Sequence, residues 1–239
     1  MEREYIRIKK PAPLPFDTRQ LKTLDDEFWK NWVFYHLLSF YQNYDSEELK
    51  DKIQVEKKNK KSDIEDLIAV YIRKYLRKDR LFELQGLKVV GGVNNDLTIK
   101  GLYDISILHS YWDKEFHFEC KNLDSSQDLV NKYVCYNTYK KNNENDNIFD
   151  GGVLRYFNGK YAQNLTFGGM IGFILDGDSN SIKAAILKKL NEKFKISPDG
   201  DLISAKDNSI EENPFTFDSI HSRKDKKFTI HHLLLSLNI

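Results

Sequence analysis

The chain has 239 residues, of which 40% are hydrophobic and 31% charged, a composition typical of a folded globular protein. Its 37 Lys and Arg residues are balanced by 36 Asp and Glu residues, so the formal net charge is +1. This balance argues against a protein that coats nucleic acid through a global basic field, and any nucleic-acid contact would need a local basic patch. The length suits one domain with a helical addition, or two small domains.

The sequence is also unlike that of a membrane or secreted protein. Its start, MEREYIRIKKPAPLPFD, is charged and lacks the apolar core of a signal peptide. No apolar run approaches the length that spans a bilayer. Cys120 and Cys135 lack the spacing of a metal site, and we expect both to be reduced thiols. These features predict a cytoplasmic protein without membrane contact.

The first 61 residues are predicted to form an arm followed by helices. Three alternating prolines disfavour a helix near the start, so residues 1–20 are expected to be extended. Asp25 or Asp26 is placed to cap a helix that runs to about Tyr41. Helical spacing of apolar residues favours a core face over a base-stacking platform, and the predicted face consists of Phe28, Trp32, Tyr35 and Leu38.

Two basic clusters are candidate phosphate contacts. The first closes the charged segment 46–61 and consists of Lys57, Lys58, Lys60 and Lys61. A solvated helix end and loop is the simpler explanation of such a charge run. The second lies at the end of a helix that Ser62 or Asp63 opens, and it includes Arg73, Lys74 and Arg77. The buried stripe of that helix is predicted to be Ile64, Leu67, Ile68, Tyr71 and Leu76.

Residues 101–123 show two alternating strands separated by a polar turn. Residues 82–93 are predicted to form the core strand before them, ended by a Gly-Gly turn. Alternate side chains of a strand point to opposite faces, so Glu119 and Lys121 share a face. An antiparallel return would bring Asp104 close to Glu119. Two clustered carboxylates are hard oxygen ligands that suit Mg²⁺.

The second half of the chain predicts helices alternating with buried strands. A turn-rich segment lies between the first helix and the buried strand, and its Arg155 and Lys160 are candidate nucleic-acid contacts. The predicted elements are a helix over 127–141, a buried strand over 168–175, an amphipathic helix over 179–195, a strand at 217–221, and a strand or short helix over 228–237.

The tail contains three histidines, His221, His231 and His232. They match no zinc spacing, and adjacent histidines in a strand point apart, so each is predicted to be a satisfied structural histidine. Arg223 follows shortly after the first of them and could hold a phosphate through its bidentate fork.

The order Asp104, hairpin, then Glu119-Cys120-Lys121 resembles the signature of the PD-(D/E)xK nuclease superfamily. Tyr103 stands where the name of the superfamily has Pro, a substitution that its members tolerate. The resemblance extends over the elements that follow the motif, and it covers about residues 62–195.

The resemblance implies an α/β fold with a restriction-endonuclease-like core, in which a mixed central sheet is flanked by helices. That core would occupy residues 62–239, and residues 1–61 would form an N-terminal helical addition.

The resemblance also implies roles for individual residues. Asp104, Glu119 and the backbone carbonyl of Cys120 would bind Mg²⁺, for which Mn²⁺ would substitute, and Lys121 would act on water or phosphate. Superfamily members commonly carry a further acid on the helix before the core strands, where it completes the metal site, and Glu65 matches that position by order and spacing. Two acidic neighbours stay open as alternatives, Asp63 and Asp66.

The implied activity is hydrolysis of phosphodiester bonds by a metal-dependent endonuclease, with DNA as the expected substrate and bacterial restriction or anti-phage defence as the expected setting. Two arrangements stay open, a homodimer that cuts both strands and a cutting subunit controlled by a separate helicase or ATPase. The alternative is a catalytically inactive protein that keeps the nuclease fold as a binding or scaffold subunit.

Overall fold

The structure is a computed structural model, and it describes residues 8, 10–15, 17–58, 64–94, 102–139, 148–158, 160–194, 200–207 and 214–237. Within these ranges the helices are α1 (Thr18–Leu21), α2 (Asp26–Asn43), α3 (Ser46–Lys58), α4 (Ile64–Lys78), α5 (Arg80–Leu84), α6 (Gln127–Val134), a 3₁₀ helix (Gly152–Tyr156) and α7 (Ser179–Phe194). The strands are β1 (Leu87–Val90), β2 (Val93–Asn94), β3 (Leu102–Tyr103), β4 (Ile105–His109), β5 (Glu115–Leu123), β6 (Tyr136–Tyr139), β7 (Ile148–Asp150), β8 (Phe167–Ile174), β9 (Leu202–Asp207), β10 (Thr216–Arg223) and β11 (Lys226–Ser236).

The centre of the fold is a seven-stranded mixed sheet with the order β1-β4-β5-β8-β11-β10-β9. Strands β5, β8 and β11 run parallel to one another, and antiparallel pairs complete both edges. Two short pairs, β2–β3 and β6–β7, form separate ribbons. Every residue of β8 is buried, as its continuous apolar sequence predicts. The predicted α/β class with a mixed sheet is confirmed.

Two hydrophobic clusters cover the two faces of the sheet. In β8, Ile171 and Phe173 belong to the cluster that contains α2, α3 and α4, whereas Met170 and Ile174 belong to the cluster that contains α6 and α7. The boundary predicted between residues 61 and 62 lies outside the described ranges. Helices on either side of it share one core with the sheet.

Helix α2 is buried on most of its circumference rather than along one stripe. Asp25 caps it, because its carboxylate accepts a hydrogen bond from Phe28 N (2.8 Å). Of the predicted core face, Trp32 and Leu38 are buried, whereas Phe28 and Tyr35 are half-buried. An all-round apolar helix of this kind must be covered by other elements. No helix in the described ranges has both the length and the apolar content needed to cross a membrane.

Two sequence predictions for the N-terminal half are wrong in their bounds. Residues 18–20, which the sequence predicts to be extended, belong to α1, which Asp17 caps. The charged segment 46–61 agrees with the expected solvated helix end, because α3 ends at the exposed Lys58. The strand expected over 82–93 begins only at Leu87, because Asp79 accepts hydrogen bonds from two backbone N–H groups and starts α5 instead.

The helix expected over 127–141 is also too long. Ser126 caps α6, but the helix ends at Val134 and the chain continues as β6. The sequence of β6, Tyr-Asn-Thr-Tyr, combines two aromatic residues and a β-branched one, a composition that favours a strand. The helix predicted over 179–195 is confirmed as α7.

The tail forms the hairpin of β10 and β11, which is one of the two arrangements expected from the sequence, and β9, which is not expected from it. Its histidines are structural, as predicted. His231 Nδ1 contacts Asp218 Oδ1 at 2.6 Å, and His221 Nδ1 contacts the carbonyl of Gly200 at 2.8 Å.

A buried hydrogen-bond chain connects α6 to β10 and β11. Its links are Tyr133 Oη to His232 Nδ1 (2.9 Å), His232 Nε2 to Ser219 Oγ (2.8 Å), and Ser219 Oγ to His221 Nε2 (2.8 Å). Burial lowers the pKa of both imidazoles, that of His221 to about 4, so both are neutral at pH 7. The Gly200 carbonyl can only accept a hydrogen bond, so His221 donates to it from Nδ1. The remaining directions follow: Ser219 Oγ donates to His221 Nε2, His232 Nε2 donates to Ser219 Oγ, and the Tyr133 hydroxyl donates to His232 Nδ1.

Ser219→Ala should lower the free energy of unfolding by about 1–3 kcal/mol, because it leaves two buried imidazole nitrogens without a partner. Urea denaturation at pH 7 measures the effect. Ser204→Ala on the exposed strand β9 is the matched control and should be neutral. Equal stabilities of the two variants would contradict the assigned chain.

Candidate active site

The site lies where β5 loses its antiparallel partner. The pairing with β4 reaches no further than Phe118, so beyond that residue β5 is paired only with β8. On the open side, Cys120 N donates to Asp104 Oδ2 (2.6 Å). Two residues on, Asn122 N donates to Glu65 Oε2 (3.3 Å). Two carboxyl groups therefore satisfy the backbone N–H groups that the missing strand would have paired.

The predicted hairpin is confirmed, and it brings Asp104 beside Glu119. Strands β4 and β5 are antiparallel with Ile105 opposite Phe118, so the preceding residue, Asp104, falls opposite Glu119. Asp104 N donates to the Phe118 carbonyl (3.2 Å), and Arg73 of α4 donates to the Asp104 carbonyl. The backbone at Asp104 is thus held by both the sheet and α4.

Glu119 is a buried carboxylate with a cation or a hydroxyl at each oxygen. Its side chain is 1% exposed. Oε1 accepts from Lys121 Nζ (2.8 Å) and from Arg155 Nη1 (2.8 Å), and Oε2 accepts from the Tyr161 hydroxyl (2.7 Å). A buried carboxylate is stable only with such partners, because ionisation in a poorly solvated site is otherwise costly.

The Lys121 ammonium lies among three oxygen atoms. Its Nζ contacts Glu65 Oε1 (2.5 Å), the Cys120 carbonyl (2.7 Å) and Glu119 Oε1 (2.8 Å). Burial by itself would lower the pKa of Lys121, but Glu119, Glu65 and Asp104 outweigh burial and raise that pKa above its usual value. Lys121 is therefore fully charged at neutral pH.

Asp104 has a different electrostatic environment. Burial, followed by the negative charge of Glu119, raises the pKa of Asp104 to about 7, and the nearby ammonium of Lys121 opposes this only in part. Without a further cation, the site is thus close to the point at which Asp104 takes up a proton.

Glu65 is the acid of its helical turn that faces the site. Its side chain is 19% exposed and meets Lys121 and the backbone of β5. Asp66 is exposed and lines a groove of about 1170 Å³ between α3 and α4. Asp63 lies outside the described residues. Of the two described acids, the structure therefore places Glu65 at Lys121 and Asp66 on another surface.

The donor atoms fit a hard divalent cation. Two carboxylate oxygens and a carbonyl oxygen surround Lys121 Nζ within 2.8 Å, and the Asp104 carboxyl lies on the same strand edge. In the described part of the chain, no three His, Cys, Asp or Glu side chains are arranged as a metal site as they stand. The groups that would hold a metal are Asp104, Glu119 and the Cys120 carbonyl. The last two now contact Lys121, which would keep its contact with Glu65.

The basic residues predicted to contact nucleic acid lie in different environments. Lys57 and Lys58 are exposed at the end of α3, and Lys74 is exposed on α4. Lys60 and Lys61 lie outside the described residues. Arg73 donates to the Asp104 carbonyl and Arg77 to the Val89 carbonyl (3.3 Å), so both also hold α4 against the strands.

Three further candidates lie on the segment after α6 or on the tail. Arg155 is in the site itself, on Glu119. Lys160 is half-buried on the same segment. Arg223 donates to the carbonyls of Tyr156 (3.2 Å), Ala162 (2.8 Å) and Leu165, and its guanidinium lies 3.8 Å from the centre of the Phe228 ring. Arg223 thus shapes the loop that carries the site.

Sequence reasoning missed Tyr161 and assigned Arg155 only to nucleic acid. The Tyr161 hydroxyl contacts Glu119 Oε2 (2.7 Å), Arg155 Nη1 (2.8 Å) and the Leu102 carbonyl (2.7 Å). It lies 42 residues from Glu119 along the chain. No periodic pattern links the two, so only the folded chain shows the contact.

Comparison of this chain with protein-family models, with curated proteins and with solved structures found no match.

Asp104→Asn should stabilise the metal-free protein at pH 8 and leave it unchanged near pH 4. The folded-state pKa of about 7 lies above the ordinary value of 3.8, so wild type loses stability as pH rises through this range, by on the order of a few kcal/mol in total. Asparagine does not titrate and keeps an acceptor for Cys120 N. Thermal denaturation at several pH values in the presence of a chelator measures the difference. A difference that does not change with pH would contradict the assigned environment of Asp104.

Proposed function

We propose that the chain is a metal-dependent nuclease of the PD-(D/E)xK type that hydrolyses phosphodiester bonds in DNA. One observation carries the proposal. An acid from α4, an acid that precedes β4, and an acid and a lysine from β5 converge at one strand edge, although Glu65 and Lys121 are 56 residues apart. A Glu-x-Lys triplet that occurred on β5 by chance would require neither of the other two acids beside it.

The arrangement of elements supports a restriction-endonuclease-like core. Helix α4 precedes the antiparallel strands β1, β4 and β5, and β8 is added parallel to β5 after α6. The Glu119-Cys120-Lys121 part of the motif lies on β5, an interior strand, and helices cover both faces of the sheet. Parallel addition next to the motif strand follows the element order that the sequence resemblance implies.

Each polar side chain has a defined task in the proposed reaction. Asp104, Glu119 and the Cys120 carbonyl would hold the cation, and Glu65 would keep the ammonium of Lys121 beside it. Bound Mg²⁺, or Mn²⁺ in its place, would offset charge that develops on the phosphate and lower the pKa of a water. The permanent charge of Lys121 would orient the attacking water or stabilise the phosphate in the transition state. Tyr161 would fix the position of Glu119.

The alternative is an inactive protein with the nuclease fold, and the ion pairs of Glu119 favour it. A carboxylate that already has two cations and a hydroxyl resembles a structural network. Buried ion pairs, however, contribute little net stability compared with apolar residues of the same size. A network of this kind with an acid whose pKa is raised to about 7 is typical of functional sites. We therefore place the nuclease first.

The setting proposed for this activity is bacterial restriction or anti-phage defence. A second copy of the chain, or a helicase or ATPase subunit, would decide where and when DNA is cut. These partners follow from the sequence resemblance alone and are part of the proposal.

Lys121→Ala should reduce the rate of DNA cleavage in Mg²⁺ by roughly 10²–10³-fold, because a positioned charge is lost from the transition state. The dissociation constant for DNA should change far less and keep a steep salt dependence, since exposed lysines of α3 and α4 would supply the phosphate contacts. Cleavage time courses and filter-binding titrations at several salt concentrations measure the two effects. Equal losses of binding and cleavage would make Lys121 an anchoring residue. No binding or cleavage of DNA or RNA by wild type would favour the scaffold.

Glu65→Gln should reduce the cleavage rate by about tenfold or more, because Lys121 loses the carboxylate that holds it. The matched control is Asp66→Asn, which removes the same charge from the next residue on the exposed side of α4 and should leave the rate unchanged. Rates are compared well below the unfolding midpoint of each variant. Similar rates for both variants would remove Glu65 from the site.

A further inference from the structure

We propose that Arg155 regulates the site: it occupies Glu119 while the metal is absent and moves to the substrate phosphate when the metal binds. The inference rests on the proposed nuclease function and deepens it. It gives Arg155, which lies outside the motif, two roles: it competes with the metal for Glu119, and it binds the substrate phosphate.

The first step is the competition for one oxygen atom. Glu119 Oε1 accepts from Arg155 Nη1 and from Lys121 Nζ, each at 2.8 Å. The formal charges of Glu65, Glu119, Lys121 and Arg155 sum to zero, so these four residues balance one another. A divalent cation held by Glu119 and ionised Asp104 adds two positive charges and one negative charge to these four residues, which leaves one positive charge in excess. Coulomb repulsion then favours the departure of one resident cation.

Arg155 is the more exposed of the two cations that contact Glu119. Lys121 is tied to Glu65 and to the Cys120 carbonyl as well as to Glu119, and its side chain is 15% exposed. The Arg155 side chain is 29% exposed, so its guanidinium already borders solvent. Lys121 can keep its bond to Glu65 when a metal takes Glu119, whereas Arg155 gives up its carboxylate oxygen.

The backbone beneath Arg155 is anchored, so the motion is confined to the side chain. Gly152, at the start of the 3₁₀ helix, has a φ of +50°, and a Cβ there would come within 1.8 Å of the Tyr133 carbonyl. The next residue after Arg155, Tyr156, is buried and its hydroxyl donates to the Gly169 carbonyl (2.7 Å). A released guanidinium therefore stays within side-chain reach of Glu119.

A phosphate diester bound at the metal would offer the released guanidinium a new anionic partner. Arginine binds phosphate oxygens with two parallel hydrogen bonds, which lysine cannot do. The Tyr161 ring lies 5.5 Å from the Arg155 guanidinium, and its hydroxyl accepts from Arg155 Nη1. Tyr161 thus offers Arg155 a contact that does not depend on Glu119. The exchange couples metal loading to substrate binding without a change of fold.

The experiment combines a Mn²⁺ titration without nucleic acid and a single-turnover cleavage assay at saturating Mn²⁺. Arg155→Ala should bind Mn²⁺ about fivefold or more tightly than wild type, because a competing cation is gone, and should cleave DNA about 10²-fold more slowly. Arg155→Lys keeps the charge without the fork, so its Mn²⁺ affinity should stay near that of wild type while its cleavage is slow. Lys188→Ala, which removes one exposed charge on α7, should change neither quantity. Circular dichroism at the assay temperature confirms that each variant is folded.

The outcomes separate this inference from the proposed function. Cleavage by wild type, with equal Mn²⁺ affinities for wild type and Arg155→Ala, would overturn the role of Arg155 and leave the nuclease supported. Tighter Mn²⁺ binding by Arg155→Ala with an unchanged cleavage rate would overturn the contact with phosphate. An absence of cleavage by wild type, with the difference in Mn²⁺ affinity intact, would overturn the nuclease and support the competition for Glu119.

Discussion

Burial of the Glu119 carboxylate is the constraint on which the candidate site depends. A charge on a side chain that is 1% exposed requires positive or hydrogen-bonding partners, and the fold supplies them from three directions. Lys121 comes from the same strand, Arg155 from the 3₁₀ helix, and Tyr161 from the loop that follows it. Lys121 also contacts Glu65, and Tyr161 also contacts the Leu102 carbonyl, so the position of Glu119 is linked to the geometry of the surrounding group.

The open edge of β5 explains why the acids gather there. A strand with a partner on one side leaves N–H and C=O groups that must be satisfied, and carboxylates accept strongly from backbone N–H groups. Asp104 and Glu65 take this role at Cys120 and Asn122. The same arrangement leaves the Cys120 carbonyl beside two acids, which is the donor set of a hard cation. In the proposed function, the residues that satisfy the strand edge are therefore also the ones that would hold the cation.

The electrostatics distinguish this group from an ordinary surface network. Burial disfavours the ionised form of Asp104, and the negative charge of Glu119 adds to this effect, so the pKa of Asp104 rises to about 7. Two cations already balance Glu65 and Glu119, so an ionised Asp104 gives the group an excess negative charge. A protein that needed only stability would gain more from apolar residues at these places. The proposed cation would offset this excess negative charge. Arg155 would then bind Glu119 when the cation is absent and leave it when the cation is bound.

The sequence by itself determined the local parts of this protein. Alternation over β4 and β5 predicts the hairpin and the shared face of Glu119 and Lys121, because strand periodicity is a local property. The continuous apolar run of β8 and the capped helix α2 follow from equally local rules. Other predictions were wrong because a different local signal was stronger. Asp79, for example, caps α5 where the start of a strand was predicted.

Tertiary structure alone decided which distant residues complete the site. The first turn of α4 offers adjacent acids, and only the packing of that helix against β5 selects Glu65 over Asp66. Tyr161 shows no periodicity relative to Glu119, and Arg155 and Arg223 look alike as basic residues in turns. The fold sends the first arginine to a carboxylate and the second to backbone carbonyls. Long-range contacts of this kind depend on how the sheet and helices pack, and no local pattern of residues encodes that packing.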